Sequence, residues 1–149
     1  MADRITPAHR SWNMSRIRGR DTTPEKLVRS ALHRVGFRFR LNVKDLPGRP
    51  DIVLPRYNTV VLVHGCFWHR HRGCSNATTP STNRAFWGAK FDENKARDVR
   101  NLRKLRARGW NVHVIWECEA DSGRDLKLLL TTLKRRRRRL TNCFDVVPE

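Results

Sequence analysis

The fold is decided by residues 51–63, which read DIVLPRYNTVVLV. Two β-rich runs, 51–54 and 59–63, lie on either side of the turn-forming segment 55–58. Short apolar runs that flank turn residues predict two strands joined in a hairpin. The rest of the chain is interpreted outward from this hairpin.

A helix and a short strand are predicted before the hairpin. Thr23 is expected as the N-cap of the helix, with Pro24 at its first position and apolar residues at helical spacing up to Gly36. Residues 37–41 alternate apolar and basic side chains, which predicts a half-buried strand. Residues 46–50, Leu-Pro-Gly-Arg-Pro, form a turn.

After the hairpin, residues 64–81 are a loop rich in His, Cys and Gly. A helix is predicted from Thr82 or Ala89 to Arg108, followed by a strand over 110–116 and a last helix that residues 134–139 end. The inward positions of the first of these helices are expected to be Phe91, Val99, Leu102 and Leu105. The order of elements predicts an α/β or α+β sheet flanked by helices, not a bundle.

The chain of 149 residues is long enough for one ordinary domain. We expect a basic N-terminal arm over 1–22, a single folded domain over 23–140 and a C-terminal tail over 141–149. No apolar run approaches the roughly 20 residues of a membrane span, and the N-terminus does not resemble a secretory signal. The expected location is therefore the cytoplasm, and the nucleoid when the protein is bound to DNA.

The formal net charge is +18, from 32 Lys and Arg against 14 Asp and Glu. Such an excess exceeds what solubility requires and indicates a polyanionic partner, most simply nucleic acid. A ribosome-associated protein or an ordinary basic surface would carry similar charge.

A zinc site is predicted from Cys66, His71 and Cys74, which lie within nine residues, and from Cys118 after the last strand. Structural zinc takes four Cys or His ligands in a tetrahedron. The alternative is a set of scattered core cysteines and solvated histidines. His69 is a competing ligand, and Cys143 is left without a role.

Candidate catalytic residues are Asp51, His64, His69 and Glu25. A carboxylate where a strand begins is suited to hold Mg²⁺ beside a phosphate. A neutral imidazole can take a proton from attacking water. We prefer His69 as the base, with His64 as its partner; Asp51 as a turn residue and Glu25 as an ordinary acid at a helix N-terminus are the alternatives.

Several segments of the chain resemble the very short patch repair (Vsr) endonucleases. They are Asn13-Met14, Arg20-Asp21-Thr22, the turn 46–51, His64-Gly65-Cys66-Phe67-Trp68-His69 and Trp116-Glu117-Cys118. The resemblance implies a restriction-endonuclease-like fold of the PD-(D/E)XK type, a mixed sheet flanked by helices with a structural zinc. It implies an enzyme that nicks the T-containing strand 5′ of the T in a T:G mismatch left by deamination of 5-methylcytosine.

The resemblance also implies roles for residues and partners. Asp51 and the backbone carbonyl of Val63 would hold magnesium, Glu25 would bind it through water, and His69 and His64 would be catalytic. Zinc would be bound by Cys66, His71, Cys74 and Cys118. The partners would be mismatched duplex DNA, a cytosine-5 DNA methyltransferase and repair proteins, with the enzyme acting as a monomer.

The chain departs from the family pattern at two positions. Val63 stands where a hydroxyl residue is expected, and two residues separate His71 from Cys74 where fewer are expected. A backbone carbonyl is available from valine as from any residue, so neither departure removes a named chemical group. The acid-any-lysine element of the fold is absent, and Leu62-Val63-His64 stands in its place.

Mismatch recognition is assigned by the same resemblance to aromatic residues of the zinc loop and to the N-terminal arm. Phe67, Trp68 and Trp87 would wedge between base pairs from one groove, and Met14 from the other; a mismatch lowers the cost of unstacking. Arg16, Arg18, Arg20 and the run 134–139 would contact phosphates, although the run is equally a solvated charge cluster. Phe91 and Trp110 are expected in the core.

Two other functions stay open. One is a restriction-type or nicking endonuclease on matched DNA. The other is a zinc-stabilised DNA-binding module without chemistry.

Overall fold

The computed structural model describes residues 6–17, 19–121 and 123–144. In this part of the chain the elements are α1 (Pro7–Arg16), α2 (Thr23–Arg34), β1 (Arg40–Leu41), β2 (Ile52–Leu54), β3 (Thr59–His64), α3 (Arg84–Ala107), β4 (Asn111–Trp116) and α4 (Arg124–Phe144). Short 3-10 turns occupy Pro55–Tyr57 and Glu117–Glu119. None of the described helices is long and apolar enough to cross a membrane.

The four strands form one mixed sheet in the order β1-β2-β3-β4. β1, β2 and β3 pair antiparallel, and the predicted β2–β3 hairpin is confirmed. Asn58 closes its turn in the left-handed conformation at φ 49°. β4 pairs with β3 in parallel, which requires a long connection, and α3 provides it. The predicted α/β class is confirmed.

Each face of the sheet is covered by its own apolar layer. Ile52, Leu54, Val61 and Ile115 pack with residues of α2 and α4 on one face. Val53, Val60 and Leu62 pack with Leu105 of α3 on the other. Successive strand residues point to opposite faces, so the nearly continuous apolar runs of the hairpin supply both layers.

The start of α2 differs by one residue from the prediction. Thr22, not Thr23, is the N-cap, and its hydroxyl accepts a hydrogen bond from the Glu25 backbone N–H at 3.5 Å. Pro24 remains in the first turn. The Thr-x-x-Glu spacing of a capping box therefore runs from Thr22 to Glu25.

The two ends of the chain are more helical than predicted. Residues 7–16 form α1 inside the expected arm, capped by the Thr6 side chain, which accepts from the His9 N–H. α1 buries none of its residues, so it has no apolar stripe that periodicity could detect. α4 continues through 134–139 to Phe144, because arginine is a good helix former and does not end a helix.

Two further predictions were wrong in detail. Only Arg40–Leu41 of the predicted strand 37–41 pairs with β2, because Phe37 is drawn into the core where the chain leaves α2. Its N–H donates to the Leu32 carbonyl at 3.0 Å. Val99, expected to face inward, is 54% exposed, whereas Phe91 and Leu105 are buried as predicted.

Candidate active site and metal centre

The parallel pairing of β3 and β4 brings the candidate residues together. His64 ends β3 in register with Trp116 at the end of β4. Cys66 and Cys118 each follow this registered pair by two residues, so the loop after β3 and the turn after β4 leave the same end of the sheet side by side.

The four predicted zinc ligands form one cluster. The ligand atoms of Cys66, His71, Cys74 and Cys118 all lie within 4.8 Å of one another. His71 Nδ1 lies 3.6 Å from Cys66 Sγ and 3.4 Å from Cys118 Sγ. A tetrahedral zinc with ordinary bond lengths has S···N edges of about 3.5 Å. The cluster therefore has the donors and the dimensions to hold a metal ion.

The electrostatics of the cluster also call for a cation. Desolvation and the neighbouring thiols of Cys66 and Cys74 raise the pKa of Cys118 to about 12. Burial raises the pKa of Cys66 as well, whereas a hydrogen bond from the Asn76 backbone lowers the pKa of Cys74. Three thiols this close lose their protons together only when a positive charge lies between them.

Residues around the cluster orient its ligands. The His71 ring stacks on Trp116, with centroids 4.2 Å apart and planes 5° apart. The Glu117 carboxylate accepts the Cys66 N–H at 3.1 Å. Partners of this kind fix the direction of metal ligands. The side chain of Cys143 lies outside the described residues.

His64 and His69 stack beside the metal cluster, with ring centroids 3.9 Å apart and planes 6° apart. Burial, and then the charge of His69, lower the pKa of His64 to about 4, so His64 is neutral near pH 7. His69 is only partly buried. The two histidines of the prediction are therefore neighbours in different environments.

Asp98 of α3 is a residue that the sequence analysis missed. Its Oδ2 lies 2.6 Å from His69 Nδ1. Burial acts to raise the pKa of Asp98, but the hydrogen bond and the charges of His69 and His64 outweigh it, and the pKa is lowered. The ionised carboxylate therefore accepts from Nδ1–H, which leaves Nε2 of His69 free to accept a proton. The sequence shows an acidic residue on a basic helix, but it does not show that this side of the helix faces His69.

Asp51 lies at the start of β2, opposite the end of β3. Its Oδ2 accepts the Val63 N–H at 2.7 Å. Burial, together with the charge of Glu25, raises the pKa of Asp51 to about 6 despite that hydrogen bond. Two neighbouring carboxyl groups that are shielded from water, as Asp51 and Glu25 are, can bind a divalent cation.

Glu25 is 3% exposed and is held by several donors. Its carboxylate accepts the Asp21 N–H at 2.9 Å, the Thr22 hydroxyl at 3.0 Å and Arg29 Nη2 at 2.9 Å. Arg29 also donates to Asp21 at 2.6 Å. These contacts fix the Glu25 carboxylate in the cleft. Glu25 is therefore not an exposed acid that interacts only with the helix dipole.

All four candidate catalytic residues line one cleft of about 1730 Å³. Further lining side chains come from α3, namely Trp87, Lys90, Asn94, Arg97, Asp98 and Asn101. Gly48, in the turn before Asp51, approaches this helix so closely that an added Cβ would lie 2.8 Å from Asn101 Nδ2. Contact with α3 thus sets the position of the turn that carries Asp51.

The aromatic residues of the prediction form a cluster above the catalytic residues. The Phe67 ring is 5.0 Å from Trp68 and 5.7 Å from Trp87, centroid to centroid. Phe67 and Trp68 are half-buried, and Trp87 is 9% exposed, so Trp87 presents less surface than the other two. Asn94 Nδ2 donates to the Trp68 carbonyl at 3.2 Å and ties this loop to α3.

α1 borders the same cleft. Met14 lines it and is 39% exposed. Arg20 also lines it, whereas Arg16 stacks over the Trp12 ring at 4.1 Å. Arg18 lies outside the described residues. The predicted arm residues therefore include two, Met14 and Arg20, that face the candidate site.

Comparison with known proteins gives consistent matches. The family model described as DNA mismatch endonuclease Vsr matches residues 2–76. A type II nicking enzyme of Xanthomonas oryzae pv. oryzae is 50% identical over 119 residues, 80% of this chain and 87% of that protein. The DNA mismatch endonuclease Vsr of Escherichia coli (strain K12) is 44% identical over 118 residues, 79% of this chain and 75% of that protein.

The raised pKa of the partly buried Asp51 carboxyl predicts a pH-dependent stability difference in the absence of added divalent cations. Because the folded pKa is raised from 3.8 to about 6, the carboxyl stabilises the fold below pH 4, and this contribution is lost as the pH rises to 6 and above. The loss is about 3 kcal/mol at most. Asp51→Asn should therefore gain up to that amount over the wild type between pH 4 and pH 8, measured by urea unfolding.

The control is Asp45→Asn, an identical change at an exposed acid in the preceding loop. It should show no such pH-dependent gain. A constant difference between Asp51→Asn and the wild type from pH 4 to pH 8 would contradict the raised pKa.

Proposed function

Because this chain belongs to the Vsr family of DNA mismatch endonucleases, we propose that it nicks the T-containing strand 5′ of the T in a T:G mismatch. The observation that carries the proposal is the His69–Asp98 pair in the same cleft as the partly buried Asp51. In phosphodiester hydrolysis a base takes a proton from the attacking water, and a metal ion stabilises the charge that develops on the phosphate. The fold is proposed to be a restriction-endonuclease-like domain over 23–140 that acts as a monomer.

His69 is the proposed general base. Asp98 accepts Nδ1–H of His69, which lines the cleft, and this leaves Nε2 as the proton acceptor for water. His64 is neutral near pH 7 and stacks on His69, which supports it as an uncharged partner that orients water or phosphate. This division follows the different environments of the two rings.

Asp51 and the Val63 carbonyl are the proposed ligands of Mg²⁺, with Glu25 acting through water. The raised pKa of Asp51 supports this, because a cation would offset the repulsion between the carboxylates of Asp51 and Glu25. The hydrogen bond from the Val63 N–H holds Asp51 beside Val63. When bound, Mg²⁺ supplies positive charge to the phosphate in the transition state. Arg29 keeps Glu25 in place for this role.

The cluster of Cys66, His71, Cys74 and Cys118 is proposed to hold structural zinc. Its four donors leave no position for substrate, as is usual for structural sites. The loop between Cys66 and His71 carries Phe67, Trp68 and His69. The metal would therefore fix both the aromatic residues and the base.

Phe67 and Trp68 are the proposed wedges, supported by Trp87 behind them, with Met14 entering from the other groove. Inserting aromatic side chains costs a few kcal/mol per unstacked step, and a mismatch reduces that cost. Arg16, Arg18 and Arg20 are proposed to contact phosphates. The biological context would be repair beside a cytosine-5 methyltransferase.

A second candidate is a restriction-type or nicking endonuclease that acts on matched DNA. Relatives from Xanthomonas oryzae and Neisseria meningitidis carry the name type II nicking enzyme, the latter at 45% identity over 80% of this chain and 84% of that protein. The same site would serve both activities. Only the choice of DNA separates them.

A strand-resolved cleavage assay with magnesium distinguishes the two candidates. Duplexes that carry T:G in several methyltransferase target contexts are compared with matched duplexes. We expect cutting of the T strand alone, and loss of cutting by more than 100-fold in Asp51→Ala. Equal cutting of matched DNA would favour the second candidate, and Asp51→Ala with full activity would refute the metal site.

The His69–Asp98 pair predicts a specific kinetic defect. Asp98→Asn removes the charge that stabilises protonated His69 and should lower the single-turnover rate by about 100-fold or more. The pH dependence of the rate should change as well, which a loss of packing alone would not cause. Asp92→Asn is the matched control, because it is the same change on α3 at an acid whose side chain is 76% exposed. Equal rates for the two variants would exclude a role for Asp98 in orienting His69.

Metal analysis tests the zinc site. The purified chain should contain about one zinc per molecule, and Cys118→Ser should lose most of it. Structural zinc has a binding free energy of about 10 kcal/mol near neutral pH. If only about 3 kcal/mol of this is lost from the free energy of unfolding, Tm falls by roughly 6–12 °C. Cys143→Ser is the control and should keep its zinc; zinc retained at full occupancy in Cys118→Ser would disprove the ligand set.

A further inference from the structure

The outer face of α4 is strongly basic. It carries six basic residues without an acid among them, and in the described part of the chain none of the six takes part in an ion pair. These residues are Arg124, Lys127, Lys134, Arg135, Arg138 and Arg139, all exposed. At 100° per residue they fall within one arc of about 140°.

Two arginines of the same run point the other way. Arg136 Nη1 donates to the Tyr57 carbonyl at 3.2 Å. Arg137 Nη1 donates to the Val35 carbonyl at 3.1 Å, and its guanidinium lies over the Phe37 ring at 4.8 Å. These two residues are structural, and they fix the rotation of α4 that turns Lys134, Arg135, Arg138 and Arg139 to solvent.

The basic face is separate from the cleft. Among the described residues, those that line the cleft include none from α4. α4 starts beside Glu119, at the catalytic end of the sheet, and reaches Tyr57 at the opposite end. Residues 134–139 therefore lie about 15–22 Å along the helix from its start.

We propose that the outer face of α4 is a second DNA-binding surface, which binds duplex phosphates outside the segment held in the cleft. Residues 134 and 138, like 135 and 139, are one helical turn apart, so their like charges repel each other in the free protein. A duplex carries one negative charge per about 1.7 Å of its axis and relieves that repulsion along the whole face.

The composition of this face favours DNA over an acidic protein. Protein interfaces rely on buried aromatic or aliphatic anchors among their charges. Residues 134–139 offer none on the outer side; the exposed Leu128 lies on the same face, beside Lys127 and about two turns before this run. The part of the face at 134–139, made of long cations, suits a regular phosphate backbone, whose binding depends on counterion release and not on shape.

The salt dependence of DNA binding tests the proposal without requiring cleavage. The full chain is compared with K134Q/R135Q/R138Q/R139Q on a labelled matched duplex, in a NaCl titration without magnesium. The slope of log K against log salt should become shallower by about 0.9 for each phosphate that the variant no longer neutralises, or roughly 3 to 4 for all four substitutions. The variant keeps Arg136 and Arg137, which anchor α4, so we expect it to fold. Thermal unfolding checks this.

A control of equal charge separates a local effect from the effect of net charge. R100Q/R103Q/K104Q/R106Q removes four exposed charges from α3, on the other face of the sheet, and should keep a slope close to that of the wild type. Equal changes in both variants, or no change in the α4 variant, would overturn the proposal.

The position of the second surface is tested with two duplexes, each too short to contact both surfaces at once, that carry donor and acceptor dyes. The wild type should bring them together and give energy transfer, and the α4 variant should not. No transfer with the wild type, or undiminished transfer with the variant, would overturn the assignment of a surface separate from the cleft. These outcomes depend only on DNA binding, so a failure of the mismatch-cleavage proposal would be seen independently in the strand-resolved assay.

Discussion

The parallel pairing of β3 with β4 is the constraint on which the site depends. The register of His64 with Trp116 places Cys66 beside Cys118. Without this register, the group of Cys and His side chains that could hold a metal ion would lack its fourth member. Parallel neighbours require a long crossover, and that crossover is α3, which carries Asp98 back across the same end of the sheet. One pairing therefore positions the metal cluster and the partner of His69 together.

The same arrangement concentrates destabilising groups at one end of the molecule. His64 and Glu25 are buried there, and Asp51 is partly buried. Each group needs partners to offset desolvation: Glu25 has Arg29, Asp51 has only the Val63 N–H, and His64 stays neutral. Asp51 has one hydrogen-bond donor where Glu25 has three, and burial raises its pKa to about 6.

Local chemistry made part of this structure predictable from sequence. The hairpin follows from two apolar runs around Pro55 and Asn58, and the gathering of Cys66, His71 and Cys74 follows from their spacing. Asp98 was not predictable, because its role depends on which side of a basic helix meets His69, and tertiary packing decides that. α1 escaped detection for the opposite reason: it buries no residue, so no apolar stripe marks it.

Under the proposed function, the position of His69 within its loop would link recognition to chemistry. Phe67 and Trp68 precede it directly, His71 follows two residues later, and Asn94 and Asp98, one turn apart on α3, hold the Trp68 carbonyl and the His69 ring. A force on the two aromatic rings during insertion into DNA would thus be transmitted to the base through one rigid segment. If the rings seat fully only where a base pair yields easily, His69 reaches its productive position only there, and mismatch selectivity would appear in the rate of cleavage as well as in binding.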